Sequence, residues 1–270
     1  IISYEDSSTN ELKVFDCNNV ICSNGTIRVL DFVVSGSIDS SIAIGSNGFP
    51  IISYSKSNNL NIFACGDVNC STGSSIVLDS AGSVGRYSSI GIRSNGLPII
   101  SYEDATNNQL KVFRCTSTDC STGNALTTSA MNSVGRYTSI NIREDDKPII
   151  SYYDATDKSL LVLDCTTIDC TSVNLQTLDT DGGAYSRITI GTDSMPIISH
   201  HNFTSKDLKI YKCTSLDCST GFSKTLVSMG DVGEYSSIAI KYFGEPIISY
   251  TDSTNGDLKV YSCGDANCDN

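Results

Sequence analysis

Cysteines are the residues of this chain whose type and spacing most directly suggest chemistry. All 12 fall into pairs with four residues between the two members of each pair. The pairs are Cys17/Cys22, Cys65/Cys70, Cys115/Cys120, Cys165/Cys170, Cys213/Cys218 and Cys263/Cys268. Structural zinc sites usually use cysteines with a two-residue gap and need four converging ligands. We therefore predict six local disulfides that rigidify outer connections, with no metal and no cofactor. Disulfides persist outside reducing cytosol, so we expect a secreted or cell-surface protein.

Recurring tyrosines are the second group that could do chemistry. The candidates are Tyr87, Tyr137, Tyr185 and Tyr235, with Arg86 and Arg136 preceding two of them. Asp39 takes the tyrosine position in one earlier copy. Aromatic rings can stack on the apolar faces of sugars, which makes these residues candidates for glycan binding. The alternative is that each tyrosine packs between neighbouring structural units.

Two other residue types could act as ligands or bases. The only histidines, His200 and His201, are adjacent and occur in a single copy of the repeat. No carboxylate stands at a spacing that pairs with them in sequence, so we do not expect catalysis from them. Aspartates recur at Asp6, Asp104, Asp154 and Asp252. Aspartate commonly bonds the backbone two residues ahead, so we expect these residues to start turns rather than bind calcium.

Three sequons provide candidate sites of N-glycosylation in a secreted chain. The acceptors are Asn24, Asn69 and Asn202, each followed two residues later by serine or threonine. A sequence rich in these residue types contains some sequons by chance, so the motif is a weak indication.

The elements that position these residues are internal repeats. A PIISY-like string recurs at 1–4, 50–54, 98–102, 148–152, 196–200 and 246–250, and the cysteine pairs recur in step with it. Each repeat predicts four short strands, because apolar and polar residues alternate and Gly/Asn turns intervene. The first predicted strands cover 41–44, 89–92, 139–142, 187–190 and 237–240. Four-stranded units of this length, repeated about six times, are typical of a β-propeller.

The order of an SIAI-like strand, a PIISY strand and an LKVF strand resembles the NHL and related six-bladed propeller families. It also resembles tandem ISYYDxxNGDLKV repeats of secreted microbial proteins. The resemblance implies an all-β propeller of six blades, each of four antiparallel strands, whose SIAI strands line a central channel. We count 22 predicted strands, so the first and last blades are incomplete. The whole chain, 1–270, is predicted to form one domain of about 5.5 repeats.

Two short stretches, 78–82 and 180–183, resemble part of the Asp-box of sialidase-type propellers. The aromatic residue of the box is missing. A sialidase also needs a cluster of three arginines, whereas Arg86 and Arg136 occupy equivalent positions in different repeats. Their repetition indicates a scaffold role.

Composition excludes several partners. The net charge is −12 and the pI about 4.4, with no cluster of Lys and Arg. We therefore expect no binding to nucleic acid or to anionic membranes. No uninterrupted run of 18 apolar residues predicts a membrane-spanning helix, so we expect no membrane insertion.

The uniformity of the repeats shaped our expectation of function. An asymmetric catalytic site needs polar residues that differ between blades and converge, so we expect that the chain is not an enzyme. Matching blades and the missing strands predict an extracellular structural or adhesive propeller. It would assemble with copies of itself into an oligomer or filament by strand complementation. One alternative is a multivalent lectin for cell-surface glycans. A second is a glycoside hydrolase or sialidase-like enzyme.

Overall fold

Alternating apolar residues and paired turns fold each repeat into a small antiparallel sheet. The computed structural model describes residues 1–33, 39–128 and 134–269. In these ranges it has 22 strands and six sheets. The structure thus confirms the six-bladed β-propeller, with three strands in the first and last blades. The chain divides into two compact units, Ile1–Met131 and Asn132–Asn270, each holding three blades.

The first unit contains blades 1 to 3. Blade 1 comprises β1 (Ile2–Asp6), β2 (Glu11–Cys17) and β3 (Gly25–Phe32). Blade 2 comprises β4 (Ser41–Ile44), β5 (Pro50–Lys56), β6 (Asn59–Cys65) and β7 (Gly73–Asp79). Blade 3 comprises β8 (Val84–Ile92), β9 (Pro98–Asp104), β10 (Gln109–Cys115) and β11 (Gly123–Thr127).

The second unit contains blades 4 to 6. Blade 4 comprises β12 (Val134–Ile142), β13 (Pro148–Asp154), β14 (Ser159–Cys165) and β15 (Val173–Asp179). Blade 5 comprises β16 (Ala184–Ile190), β17 (Pro196–His201), β18 (Leu208–Cys213) and β19 (Gly221–Val227). Blade 6 comprises β20 (Val232–Ile240), β21 (Pro246–Asp252) and β22 (Asp257–Ser262).

The core lies between consecutive blades of a unit. In the first unit, Leu60 and Ile62 of β6 pack with Ile100 and Tyr102 of β9. In the second, Leu208 and Ile210 of β18 pack with Ile248 and Tyr250 of β21 in the same way. Burial of one such aliphatic side chain stabilises the fold by about 1.5–3 kcal/mol. The PIISY and LKVF strings therefore encode the two faces that join neighbouring blades.

The first strand of blade 2, β4, has the predicted bounds, whereas in blades 3 to 6 the first strand is longer than the sequence predicted. β8 begins at Val84 rather than at residue 89, and β12 and β20 begin correspondingly early. The pairing of β8 with β9 shifts register twice, between Val84 and Arg86 and between Arg86 and Ser89. These irregularities interrupt the two-residue alternation from which the strand was predicted.

All six predicted disulfides are present, and among the described residues no cysteine is free. Each disulfide joins cysteines five positions apart in the chain. Six disulfides indicate an oxidising compartment. The bonded pairs are Cys17–Cys22, Cys65–Cys70, Cys115–Cys120, Cys165–Cys170, Cys213–Cys218 and Cys263–Cys268.

The second cysteine of each pair has a left-handed backbone, because the chain must reverse sharply inside so small a loop. The spacing of the cysteines predicted the bond but not this conformation. The φ values are 51° at Cys22, 54° at Cys70, 55° at Cys120, 58° at Cys170, 55° at Cys218 and 56° at Cys268.

The disulfides lie deeper than the outer connections in which we expected them. Cys70, Cys120, Cys170 and Cys268 are buried, none of them more than 2% exposed. Cys120 belongs to the core cluster that joins blades 2 and 3, and Cys268 to the cluster that joins blades 5 and 6. The prediction that the disulfides rigidify connections did not include this contribution to the core. The loops fold back onto the sheets, so the sulfur atoms fill part of the core besides closing the loops.

The predicted turn role of the recurring aspartates is confirmed. The Asp154 carboxylate accepts the backbone N–H groups of Thr156 and Asp157, and the Asp252 carboxylate accepts those of Thr254 and Asn255. Among the described residues there is no helix long and apolar enough to cross a membrane.

Candidate functional site

The recurring tyrosine lies on a bulge inside the first strand of each blade that carries it. Tyr87, Tyr137, Tyr185 and Tyr235 have φ values of 53°, 53°, 54° and 50°. A left-handed backbone is uncommon for a bulky side chain and costs on the order of 1 kcal/mol or more at each residue. Such strain is found disproportionately at functional sites, where bulges also redirect side chains.

A glycine two residues before each tyrosine makes the bulge possible. Gly183 has a φ of +105°, and a Cβ there would lie 2.6 Å from Cα of Leu160 in the preceding blade. A Cβ on Gly233 would lie 2.8 Å from Cα of Leu208. Because these backbones approach so closely, only glycine fits, and the tyrosine that follows is fixed in position.

Three of the tyrosines come together in the second unit. The ring of Tyr185 lies 4.3 Å from that of Tyr137 and 4.5 Å from that of Tyr235, at tilted angles. Burial raises the pKa of Tyr185, and its hydrogen bonds with the hydroxyls of Tyr137 and Tyr235 raise it further. The hydroxyl therefore stays protonated. Tyr235 is 67% exposed, so one end of the row is open to solvent.

Further rings extend this row. The ring of Tyr153 stacks on that of Phe203, with the ring centres 5.7 Å apart, and its centre lies 6.2 Å from that of Tyr137. The centre of the His201 ring lies 5.6 Å from that of Phe203 and 6.2 Å from that of Tyr185. We call the set Tyr137, Tyr153, Tyr185, His201, Phe203 and Tyr235 the aromatic face.

Polar side chains border the aromatic face at the junction of blades 5 and 6. His201 Nε2 lies 3.8 Å from Oδ1 of Asp231, and Glu234 lies close to both residues. Lys206 donates to Oδ2 of Asp231 at 2.5 Å, and Ser253 donates to Oε2 of Glu234 at 2.7 Å. Burial lowers the pKa of His201, so its imidazole is neutral at physiological pH.

The predicted binding residues of the first unit have different surroundings. The Arg86 guanidinium lies 5.5 Å from the centre of the Tyr87 ring and 3.9 Å from the Glu103 carboxylate. The backbone N–H of Tyr87 donates to Asp39, the residue at the tyrosine position of the preceding blade. Arg136 belongs to the second unit, where it pairs with Tyr153 in the β12–β13 register.

The adjacent histidines have separate environments. His200 is fully buried and occupies the place of the PIISY tyrosine. Its Nδ1 accepts the backbone N–H of Gly183, and burial lowers its pKa to about 4, against the opposing effect of Asp179. Of the two histidines, only His201 belongs to the aromatic face.

The three sequons also differ in accessibility. Asn24 and Asn69 are exposed, and their glycosylation stays a prediction. Asn202 is buried, its amide oxygen accepts the N–H groups of Thr204 and Ser205, and its nitrogen donates to the Asp181 carbonyl. That side chain is unsuited to carry a glycan in the folded chain.

Sequence reasoning missed Tyr153, Phe203, Asp231 and Glu234. All four occupy positions where the repeats differ; for example, Tyr153 is equivalent to Glu103 and His201, and Glu234 to Arg86. A signal therefore existed, namely variation at the positions that flank each bulge. The sequence could not show that variable positions of neighbouring blades meet.

A separate cavity lies at the C-terminal end of β12, away from the aromatic face. It has a volume of 440 Å³ and is lined in part by Arg143, Met195 and Leu216. The Arg143 guanidinium donates to the carbonyls of Leu216 and Cys165 and pairs with Asp164 at 2.6 Å. Because this arginine joins neighbouring parts of the scaffold, we regard the aromatic face as the better candidate site.

Comparisons with known proteins agree on the fold. No protein-family model matches the chain, and no curated protein matches it. A solved structure of a Bacteroides caccae protein of unknown function matches at a TM-score of 0.60 and 9% identity, over 98% of this chain and 89% of that one. An α-L-arabinofuranosidase from Lactobacillus brevis matches at a TM-score of 0.51 and 8% identity, over 83% of this chain and 89% of that one. An endo-arabinase from Bacteroides thetaiotaomicron matches at a TM-score of 0.50 and 12% identity, over 83% of this chain and 92% of that one.

These neighbours contradict the prediction that the chain is not an enzyme. Propellers of similar fold are named as an arabinofuranosidase and an endo-arabinase, although identities this low establish only the fold. Our reason for excluding catalysis was also wrong, because blade-specific polar residues do converge. His201, Asp231 and Glu234 are brought together from blades 5 and 6.

Proposed function

We propose that the aromatic face of the second unit recognises carbohydrate. The observation that carries this proposal is the convergence of three tyrosines, each held in a strained left-handed conformation by its own bulge. A position that serves only packing is better filled without that strain. Small-ligand sites are typically lined by aromatic side chains with a few polar groups that fix the ligand's orientation.

The arrangement suggests how a sugar would bind. The faces of Tyr137 and Tyr185 lie against neighbouring rings, whereas Tyr235 and Phe203 are 67% and 44% exposed. Sugar rings would stack on either of these exposed rings through their C–H faces. The sugar hydroxyls would bond to the half-buried carboxylate of Glu234. Because the carboxylates that border the face and the net charge of −12 repel anions, we propose a neutral sugar rather than an acidic one.

This arrangement differs from the sequence-based lectin alternative of one equivalent pocket on each blade. In the second unit, side chains from blades 4, 5 and 6 contribute to one shared face. Binding at this face is compatible with either a lectin or an enzyme that turns over the bound glycan.

The test is a glycan-binding screen with the native, non-reduced protein, followed by titration calorimetry on the best ligand. Tyr235→Ala and Phe203→Ala should each weaken binding about tenfold, since one aromatic contact contributes on the order of 1 kcal/mol or more. Tyr242→Ala is the matched control, because Tyr242 is 92% exposed and outside the aromatic face. The same solutions are assayed for released sugar, which separates binding from turnover.

Two outcomes would reject carbohydrate recognition at this face. One is the absence of any neutral glycan bound at millimolar concentration. The other is a bound glycan whose affinity responds to Tyr242→Ala as strongly as to Tyr235→Ala.

A second proposed function, self-association, is favoured by the exposed face of blade 6. Leu258 and Val260 on β22 are 80% and 61% exposed. Because these two side chains are not buried, the fold forgoes roughly 3–6 kcal/mol of hydrophobic stabilisation. Their equivalents on the other LKVF strands are fully buried: Leu12, Leu60, Leu110, Leu160 and Leu208, and Val14, Ile62, Val112, Val162 and Ile210.

The complementary face is present on blade 1. Ile2 on β1 is 50% exposed, whereas the equivalent isoleucines of the other blades are fully buried. In the blade pairs described above, this isoleucine packs on the leucine and valine positions of the preceding blade. We therefore propose that the blade 6 face of one molecule binds the blade 1 face of a second copy, outside the cell. Repetition of such a head-to-tail contact would build oligomers or filaments.

Sedimentation and electron microscopy of the native protein test this contact. We expect concentration-dependent assemblies that dissociate in the double variant Leu258→Glu/Val260→Lys. Val77→Glu serves as the control, since Val77 is 56% exposed on a strand outside either face. A wild-type protein that stays monomeric at high concentration would rule out the contact.

A further inference from the structure

The imidazole of His201 is an unusual buried group. The residue is 2% exposed, and neither ring nitrogen has a hydrogen-bond partner. Oδ1 of Asp231, 3.8 Å from Nε2 of His201, is also buried and without a hydrogen-bond partner. Buried polar groups are almost always satisfied, and an exception calls for an explanation such as an ion.

A third ligand group completes the cluster. The ligand atoms of His201, Asp231 and Glu234 all lie within 4.8 Å of one another. The other oxygen of Asp231 is bonded to Lys206, and Oε2 of Glu234 is bonded to Ser253. Hydrogen bonds of this kind orient carboxylate ligands around a metal.

We propose that His201, Asp231 and Glu234 form a binding site for a divalent transition-metal ion, with zinc as its representative. Imidazole nitrogen and carboxylate oxygen are established zinc ligands, with bonds of about 2.0–2.2 Å. A tetrahedral ion with such bonds places its ligand atoms about 3.3 Å apart. The 3.8 Å separation of Nε2 and Oδ1 therefore needs only a small side-chain adjustment.

The chemistry of the donors excludes the common hard cations. Calcium takes six to eight oxygen ligands and magnesium an octahedral oxygen shell. Three protein ligands, one of them an imidazole, instead suit zinc and leave a fourth coordination position. Among the described residues, this cluster occurs at the junction of blades 5 and 6 alone. The equivalents of His201 in other repeats include Ser55, Glu103, Tyr153 and Thr251.

The site goes beyond carbohydrate recognition and does not depend on it. His201 belongs to the aromatic face, so a bound ion would lie beside the rings that we propose to contact sugar. Metal binding is measured without sugar, and failure of either proposal leaves the other open to its own test.

The experiment is calorimetric titration of zinc into the native, disulfide-bonded protein after treatment with a chelator. We expect one tight site per chain and a melting temperature that rises with zinc concentration. Asp231→Asn and Glu234→Gln should each weaken that site at least tenfold. Asp181→Asn, at the repeat position equivalent to Asp231, and Glu245→Gln are the matched controls and should bind zinc as the wild type does.

Cobalt provides a second readout. Co²⁺ bound to the wild type should show the intense visible absorption of a four-coordinate site, and this absorption should be lost in Asp231→Asn. Absence of a tight zinc site, equal weakening by Asp231→Asn and Asp181→Asn, or displacement of zinc by equimolar calcium would each overturn the proposal.

Discussion

The hydroxyl of Tyr102 donates a hydrogen bond of 2.7 Å to the carboxylate of Asp79 in the preceding blade. Tyr54 makes the same bond to Asp31. In blade 5, His200 replaces this tyrosine, and its Nε2 lies 3.9 Å from Asp179 without a hydrogen-bond partner. One inter-blade hydrogen bond is thus lost where the repeat departs from its pattern.

His200→Tyr should restore that hydrogen bond and stabilise the protein. Gly182 stands where blades 3, 4 and 6 have valine, and it lies beside the His200 ring, so no side chain at this position crowds a larger ring. We expect the free energy of unfolding, measured by urea denaturation, to rise by about 1 kcal/mol. His200→Phe is the control, because it adds the ring without the hydroxyl. An equal gain in both variants would attribute the effect to packing alone.

Asp79 should make stability depend on acid pH. Burial alone would raise the pKa of Asp79, but Lys111, the Ala81 N–H and Tyr102 together hold it below its usual range. A carboxyl whose pKa is lower in the folded state stabilises the protein above the unfolded pKa of about 3.9 and loses that effect as the pH falls.

Asp79→Asn should therefore lower the free energy of unfolding at neutral pH by about 1–3 kcal/mol, since it leaves Lys111 without its nearest carboxylate. The difference between variant and wild type should shrink as the pH falls from about 5 towards 2, measured by denaturation at each pH. A difference that is constant over this range would contradict the assigned pKa direction.

Tyr235 offers a test of whether strain is kept for function. Its φ of 50° suits asparagine better than tyrosine, and its side chain is 67% exposed. In Tyr235→Asn, relief of backbone strain should offset the lost ring contact with Tyr185, so we expect stability within about 0.5 kcal/mol of the wild type. Glycan binding should nevertheless fall. A loss of stability well above about 1 kcal/mol would instead assign Tyr235 a structural role.

Each disulfide should contribute measurably to stability. Cys213 and Cys218 close a loop with a sequence separation of 5. The chain-entropy relation gives about 2 kcal/mol for so small a loop. The double variant Cys213→Ser/Cys218→Ser should lose that amount or more in chemical denaturation, since both cysteines are buried. Replacing the half-buried Cys17 and Cys22 in the same way should lower the free energy of unfolding by a smaller amount.

Local signals were sufficient for most of the architecture. The blades follow from alternation within each repeat, the disulfides from cysteines five residues apart, and the turns from aspartates that bond nearby N–H groups. The start of β8 was predicted too late, because a bulge breaks the alternation at Tyr87. Interactions between residues close in sequence leave a readable pattern, and a bulge disrupts it.

The sequence by itself thus determined the repeat, the blade and the oxidising compartment. Only the tertiary structure decided which departures from the repeat meet. His201 and Asp231 are 30 positions apart and face each other because β17 packs against the first strand of the next blade. Packing between consecutive blades likewise brings Tyr137, Tyr185 and Tyr235 together. Contacts between blades depend on how whole sheets pack, and no local periodicity records that.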